Sequence, residues 1–150
     1  GDAVREDVAR RGLELTPENV GKVMLEMREE EGDAVVAERS IKKADEAEGR
    51  GIIIEGIRSL AEVREFKKRF PNFRLLAVHA SPETRFRRIF ERGRSDDSAN
   101  RRVFAERDER ELKVGIGSAI AMADHVIINE RRMAQFRMRV REFLEGVLRE

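Results

Sequence analysis

The 150 residues contain no cysteine, no tryptophan and no tyrosine. Without cysteine there is no disulfide, no thiol nucleophile and no Cys-based metal site. Histidine is nearly absent too: His79 and His125 are too few to build a zinc-like cluster. No apolar run reaches the length that spans a bilayer, and the first residues show no signal-peptide pattern, so a cytoplasmic protein without membrane contact is expected. A net charge is also missing. Thirty-one Lys and Arg against 30 Asp and Glu leave +1, whereas a dedicated nucleic-acid binder carries a large basic excess.

What is present is a densely charged chain, 41% Asp, Glu, Lys and Arg, with its apolar residues regularly spaced. That spacing excludes intrinsic disorder, and the length suits a single α/β domain with one continuous core. The Arg- and Glu-rich, cysteine-free composition is compatible with a thermophilic protein. Three β-branched runs, Gly51 to Glu55, Leu75 to His79 and His125 to Asn129, are apolar at consecutive positions, which predicts strands of a parallel sheet covered on both faces. Helix signals lie around them. Ser59 with Glu62 has capping-box spacing ahead of the stripe Leu60, Val63, Phe66 and Phe70, and Pro71-Asn72 stops that helix. Residues 51 to 80 therefore read as a βαβ unit. Ser81-Pro82-Glu83 and Thr16-Pro17-Glu18 each pair an N-cap with proline at the first helical position and an acid in the first turn. The stripes that follow are Phe86, Ile89 and Phe90, ended by Gly93, and Val20, Val23, Met24 and Met27. A last amphipathic helix, with Met133, Phe136, Val140, Phe143, Leu144 and Val147, is expected to pack on the sheet.

In an open parallel sheet, ligands bind beyond the carboxyl ends of the strands. Glu55-Gly56-Ile57-Arg58 occupies such a position. A carboxylate there can hold Mg²⁺ through water and the arginine can fork onto a phosphate, or the two can simply form a local ion pair; spacing does not separate these readings. Between Arg85 and Arg110 lie nine arginines and no lysine, a choice that suits recognition of phosphoryl oxygens. Interspersed acids (among them Asp108, Glu109 and Glu111) allow the plainer reading of a salt-bridged helix pair. The polar stretch from Gly93 to Asn100 fits a hinged lid between two helices. His79 is read as a hydrogen-bonded strand end and His125 as structural. Gly115-Ile116-Gly117-Ser118 imitates a phosphate loop but follows no strand and precedes no Lys-Ser/Thr pair.

Taken in order, these segments resemble the nucleoside-monophosphate-kinase branch of P-loop proteins, and in particular an archaeal family described as adenylate-kinase-like or dephospho-CoA-kinase-like. Gly1-Asp2 with Arg5 resembles the start of the monophosphate-binding region, and Ile52 to Arg58 the strand ending in acid-Gly and a substrate-binding arginine. Ser81 to Asp97 is similar to the helix entering the lid, Arg107-Asp108-Glu109-Arg110-Glu111 to the returning lid helix, and Ala123 to Asn129 to the last strand. The resemblance implies a three-layer parallel sheet with a helical lid over about residues 93–114. It also implies ATP and Mg²⁺ as cofactors and a nucleotide substrate. Asp2, Arg5, Gly56 and Arg58 would bind the acceptor, Glu55, Arg94, Arg107 and Arg110 would act on the transferred phosphoryl group, and Asp2 and Glu55 would reach Mg²⁺ through water. The family's strand and Gly-rich loop that open the domain have no counterpart in these residues. In the family that strand lies between those corresponding to Ile52–Glu55 and Leu75–His79, so two central strand edges are expected to stand unpaired, at about 1–3 kcal/mol for each buried unsatisfied group.

The function implied is an ATP-dependent phosphotransferase acting on a nucleoside monophosphate or a dephospho-CoA-like acceptor, with little activity expected of the 150 residues alone. The alternative is a non-catalytic nucleotide-binding protein, or a homodimeric assembly protein joined through the exposed sheet edge. RNA binding through the arginines is weaker, since acids neutralise that segment and stacking aromatics are few.

Overall fold

A computed structural model describes residues 2–49, 51–94 and 100–149. Its elements run α1 (Asp2–Arg10), α2 (Pro17–Glu31), α3 (Val35–Asp45), α4 (Leu60–Arg69), β1 (Leu76–His79), α5 (Pro82–Arg92), α6 (Arg101–Val114), α7 (Ile116–Ala121), β2 (His125–Ile128) and α8 (Met133–Val147). The strands pair in parallel, Leu76 opposite His125 through His79 opposite Ile128. Bonds flanking the ladder extend its grip: Leu75 N donates to Asp124 Oδ2 (2.7 Å), and Asn129 N to the His79 carbonyl (2.7 Å).

Side-chain caps set four of the described helix starts, Asn100 accepting from Arg102 N (2.8 Å) ahead of α6 among them. Thr16 accepts from Asn19 N and Ser59 from Glu62 N, each at 3.2 Å, and Ser81 accepts from Thr84 N at 3.4 Å. The Ser59 box departs from the usual pattern. Glu62 reaches back past Ser59 to the backbone N–H of Arg58, at 2.6 Å. Gly93 ends α5 in the left-handed region that glycine enters freely.

Apolar burial falls into two clusters. One joins α1, α2 and α3 through Val4, Val8, Val23, Met24, Met27, Val35 and Val36. The other gathers Val63, Leu75 and Ala119, with Ile57, Phe73 and Ala123 packed against them. Charge fastens both. The Asp7 carboxylate, fully buried, accepts from Arg10, Arg11 and Arg39, and Arg11 continues to Glu26 and Glu30. Burial pushes the Asp7 carboxyl up, but the three guanidinium hydrogen bonds outweigh it and hold the pKa at about 2. Between α2 and α4, Arg28 and Glu62 form a buried ion pair at 2.5 Å.

Two expectations need correction. The sheet has two strands among the described residues, not three. Residues 51–58 form no ladder, and Ile52 and Ile53 stand 48% and 78% exposed. An apolar run declares a tendency to be covered, but it becomes a strand only where another backbone edge offers partners, and the ladder of β1 is made to β2. The last helix does meet β2, with Phe143 stacked on His125 at 5.2 Å, yet none of its residues is buried. Its stripe meets a sheet too narrow to cover it.

Candidate functional site

The cleft forms where α1, α2, the turn at Arg58 and α6 converge. Pro17, Val20, Gly21 and Met24 recur at helical spacing along one face of α2 and make its wall, with Val4 of α1 beside them. Arg5 projects from α1, Arg58 from the turn, and Arg107, Arg110 and Glu111 from successive turns of α6. The cavity between them is small, about 50 Å³, and opens to solvent. Four guanidinium groups face one carboxylate, a formal surplus of +3 on the lining.

Each arginine has a local support. Gly56, at φ 86, turns the chain ahead of Arg58 in a conformation that a side chain would strain. Glu62 then fixes the Arg58 backbone N–H, while the Arg58 Nε lies 2.6 Å from Glu111 Oε2. Arg110 lies flat against Gly21: a methyl group there would come within 2.6 Å of its guanidinium carbon. Arg5 forms a 3.7 Å ion pair with Asp2.

The structure thus brings Arg5, Arg58, Arg107 and Arg110 together. Asp2 and Glu55, both exposed, stand outside the cleft lining, as do Gly56 and Arg94. Arg94 immediately precedes residues 95–99, so the tip of the expected lid lies outside the described residues, as does Gly1. Among the described residues no group of three or more His, Asp or Glu is disposed to hold a metal ion. The α6 helix itself lies on α5, strapped by the Arg85–Asp108 pair (2.7 Å), the exposed Arg101–Glu83 pair and an edge-on Phe86–Phe104 contact at 5.4 Å.

Sequence reasoning did not single out Gly21, Glu62 or Glu111 for the site. Glu111 carried a usable signal, since it follows Arg110 and sits one helical turn after Arg107. A second concavity also went unnoticed. It lies at the carboxyl end of β2, lined by Asn129, Arg131, Arg132, Gln135, Phe136 and Arg139. Glu130 also lines it, and its carboxyl is held below its ordinary range, first by the Thr84 hydroxyl (2.6 Å) and then by the Ser81 backbone N–H. No helix among the described residues is long and apolar enough to cross a membrane.

Residues 1–104 match the AAA domain family. A UPF0200 protein of Thermococcus onnurineus is 45% identical over 154 residues, spanning all of this chain and 83% of the relative. That of Methanocaldococcus jannaschii is 47% identical over 150 residues (99% and 76%), and that of Methanothermobacter thermautotrophicus 42% over 144 (96% and 73%). With a family match over more than half its length and relatives aligned along nearly all of it, the chain belongs to the AAA domain family, a P-loop class of nucleotide-binding domain, and to the UPF0200 proteins.

Proposed function

We propose that the protein is an ATP-dependent phosphotransferase acting on a nucleotide or nucleotide-like acceptor, of the nucleoside monophosphate or dephospho-CoA type. The observation that carries this reading is the convergence of Arg5, Arg58, Arg107 and Arg110, drawn from three separate elements, on one cleft. Phosphoryl transfer asks a protein mainly to position two anions and offset their repulsion. Arg5 and Arg58 hold the acceptor's own phosphate. The attacking oxygen (a phosphate oxygen of a monophosphate, or a hydroxyl that gives up its proton in a dephospho-CoA-type acceptor) bonds to the terminal phosphorus of ATP while the bond to the bridging oxygen breaks and ADP leaves. Arg107 and Arg110, on a helix strapped to α5, lie where charge builds between the two, and Arg94 approaches from the lid side. Pro17 and Val20, the partly exposed apolar residues of the α2 wall, are the surface offered to the acceptor's base.

Four guanidinium groups around one carboxylate fit a polyphosphate. A Mg²⁺ ion would arrive on the nucleotide's phosphates and keep several of its waters. Asp2 and Glu55 are the acids proposed to bond those waters, and the ion would add charge neutralisation between donor and acceptor. The test, on the full-length protein, is phosphoryl transfer from ATP with Mg²⁺ to a panel of monophosphates and dephospho-CoA. Transfer that falls at least tenfold in Arg58→Ala and Arg107→Ala is expected, and neither transfer nor ATP hydrolysis on any acceptor would refute it.

A second reading, a non-catalytic protein that dimerises through the sheet, draws on the exposure of Ile52, Ile53, Val78, Val126 and Ile128. Light scattering separates the two: a defined dimer without affinity for ATP favours it.

A further inference from the structure

Glu111 is the one acid on the lining of a cleft otherwise built to attract anions, and its bonding is poor. Its side chain is about five-sixths buried (16% exposed), and Oε2 approaches Arg58 Nε at 2.6 Å. Yet the N–H does not point at that oxygen, which has no hydrogen bond among the described residues. A buried carboxylate oxygen in that state is held by charge alone. It pairs with an arginine that could instead form two directed bonds to a tetrahedral anion. We propose that Glu111 is an internal competitor that occupies Arg58 until a ligand displaces it, a cost that a dianionic phosphomonoester can meet and a monoanion meets poorly.

The inference rests on the reading of the cleft as a phosphate site. A monoanion that replaces Glu111 at Arg58 exchanges one charge for one charge and gains only what better geometry gives. A phosphomonoester dianion brings a second charge and further acceptor oxygens into reach of Arg5, Arg107 and Arg110. Displacement is local. Glu111 lies in the last turn of α6, one turn before Gly115, whose φ of 115 marks the break into α7. The charges facing Glu111 across the cleft are Arg58 from the turn and Arg5 from α1, with Arg107 and Arg110 on its own helix; α2 adds only Pro17, Val20, Gly21 and Met24.

A residue that merely held Arg58 in position would give the opposite sign on removal, and this makes the proposal testable. Calorimetric titration at pH 8 with inorganic phosphate and with dimethyl phosphate, a monoanion, compares the wild type, Glu111→Gln and the exposed control Glu109→Gln. Glu111→Gln is expected to bind phosphate about tenfold more tightly, about 1.4 kcal/mol. It should gain a similar factor for dimethyl phosphate, because both ligands displace the same carboxylate, while Glu109→Gln stays within twofold of the wild type. Weaker or unchanged binding in Glu111→Gln, with the wild type binding phosphate, overturns the competitor and leaves the phosphate site standing. Binding by neither protein overturns both. Should Glu111→Gln fail to fold, the carboxylate ¹³C resonance of Glu111 in the wild type decides. Movement that saturates with phosphate supports displacement, and a resonance that stays put refutes it.

Discussion

Replacing Gly21 with alanine should make the protein more stable and a poorer binder at once. Gly21 sits inside α2 at ordinary helical dihedrals, so the new side chain fits the backbone, and alanine in a helix interior is favoured over glycine by about 1 kcal/mol. In a domain of this size that raises Tm by about 2–4 °C. The added Cβ, however, would lie 2.6 Å from Arg110 Cζ, 2.8 Å from Nη1 and 2.9 Å from Nε, where ordinary contacts begin near 3.4 Å. Helix backbone does not yield, so the guanidinium swings away by roughly 1 Å or more, an easy motion for the end of a flexible side chain. Charge-assisted bonds from one arginine to a phosphate contribute about 1.5–3 kcal/mol, so phosphate affinity should fall about 10–100-fold. Differential scanning fluorimetry and calorimetric phosphate titration on the same preparation give both numbers. If Gly21→Ala binds phosphate as the wild type does, Arg110 does not serve the anion from the position seen here. A fall in Tm would show that the space over Gly21 is packing the fold requires.

Two further outcomes concern the charged fastenings. Asp7 titrates near 2 in the folded chain against 3.8 for an ordinary aspartate, so its contribution is full above pH 4 and is lost as the pH falls through the folded value, by about 2 kcal/mol. Urea unfolding of Asp7→Asn should show a deficit of about that size at pH 7 that closes towards pH 2; a deficit independent of pH would assign the loss to packing. For Arg28 and Glu62, Glu62→Leu alone strands a buried guanidinium and should cost about 3–5 kcal/mol, whereas Arg28→Met with Glu62→Leu should recover most of it. A double variant no more stable than the single one would show that the tie from Glu62 to the Arg58 N–H, which the second change does not restore, carries the cost.

Much of the local structure was legible because local chemistry dictates it. Thr16, Ser59 and Ser81 cap the helices whose starts they announced, and Leu76–His79 and His125–Ile128 pair in parallel. The α3 helix gave no such signal: it begins after Ala34, without a side-chain cap. Ile52-Ile53-Ile54 misled for a different reason, because the run has the composition of a strand while pairing is decided by what lies alongside. The same limit holds at the cleft. Spacing puts Arg107, Arg110 and Glu111 on one helical face, and the family resemblance put Arg5 and Arg58 among the phosphate ligands. Neither says that Arg110 rests on Gly21 or that Glu111 faces Arg58, since those pairings join residues about 90 and 50 positions apart through the packing of four elements.

The glycine that ends α6 has a mechanical consequence. A Cβ at Gly115 would meet the Arg58 carbonyl at 3.7 Å and Ser59 Cα at 3.8 Å, so this end of the helix rests on the very turn that presents Arg58. The helix is therefore a lever about 20 Å long with its pivot beside the cleft. A tilt of about 10° would sweep the Arg101 end through roughly 3.5 Å and carry α5 along by its straps, while Glu111 shifted by only about 1 Å. Any such tilt would move the Glu111 end several-fold less than the Arg101 end.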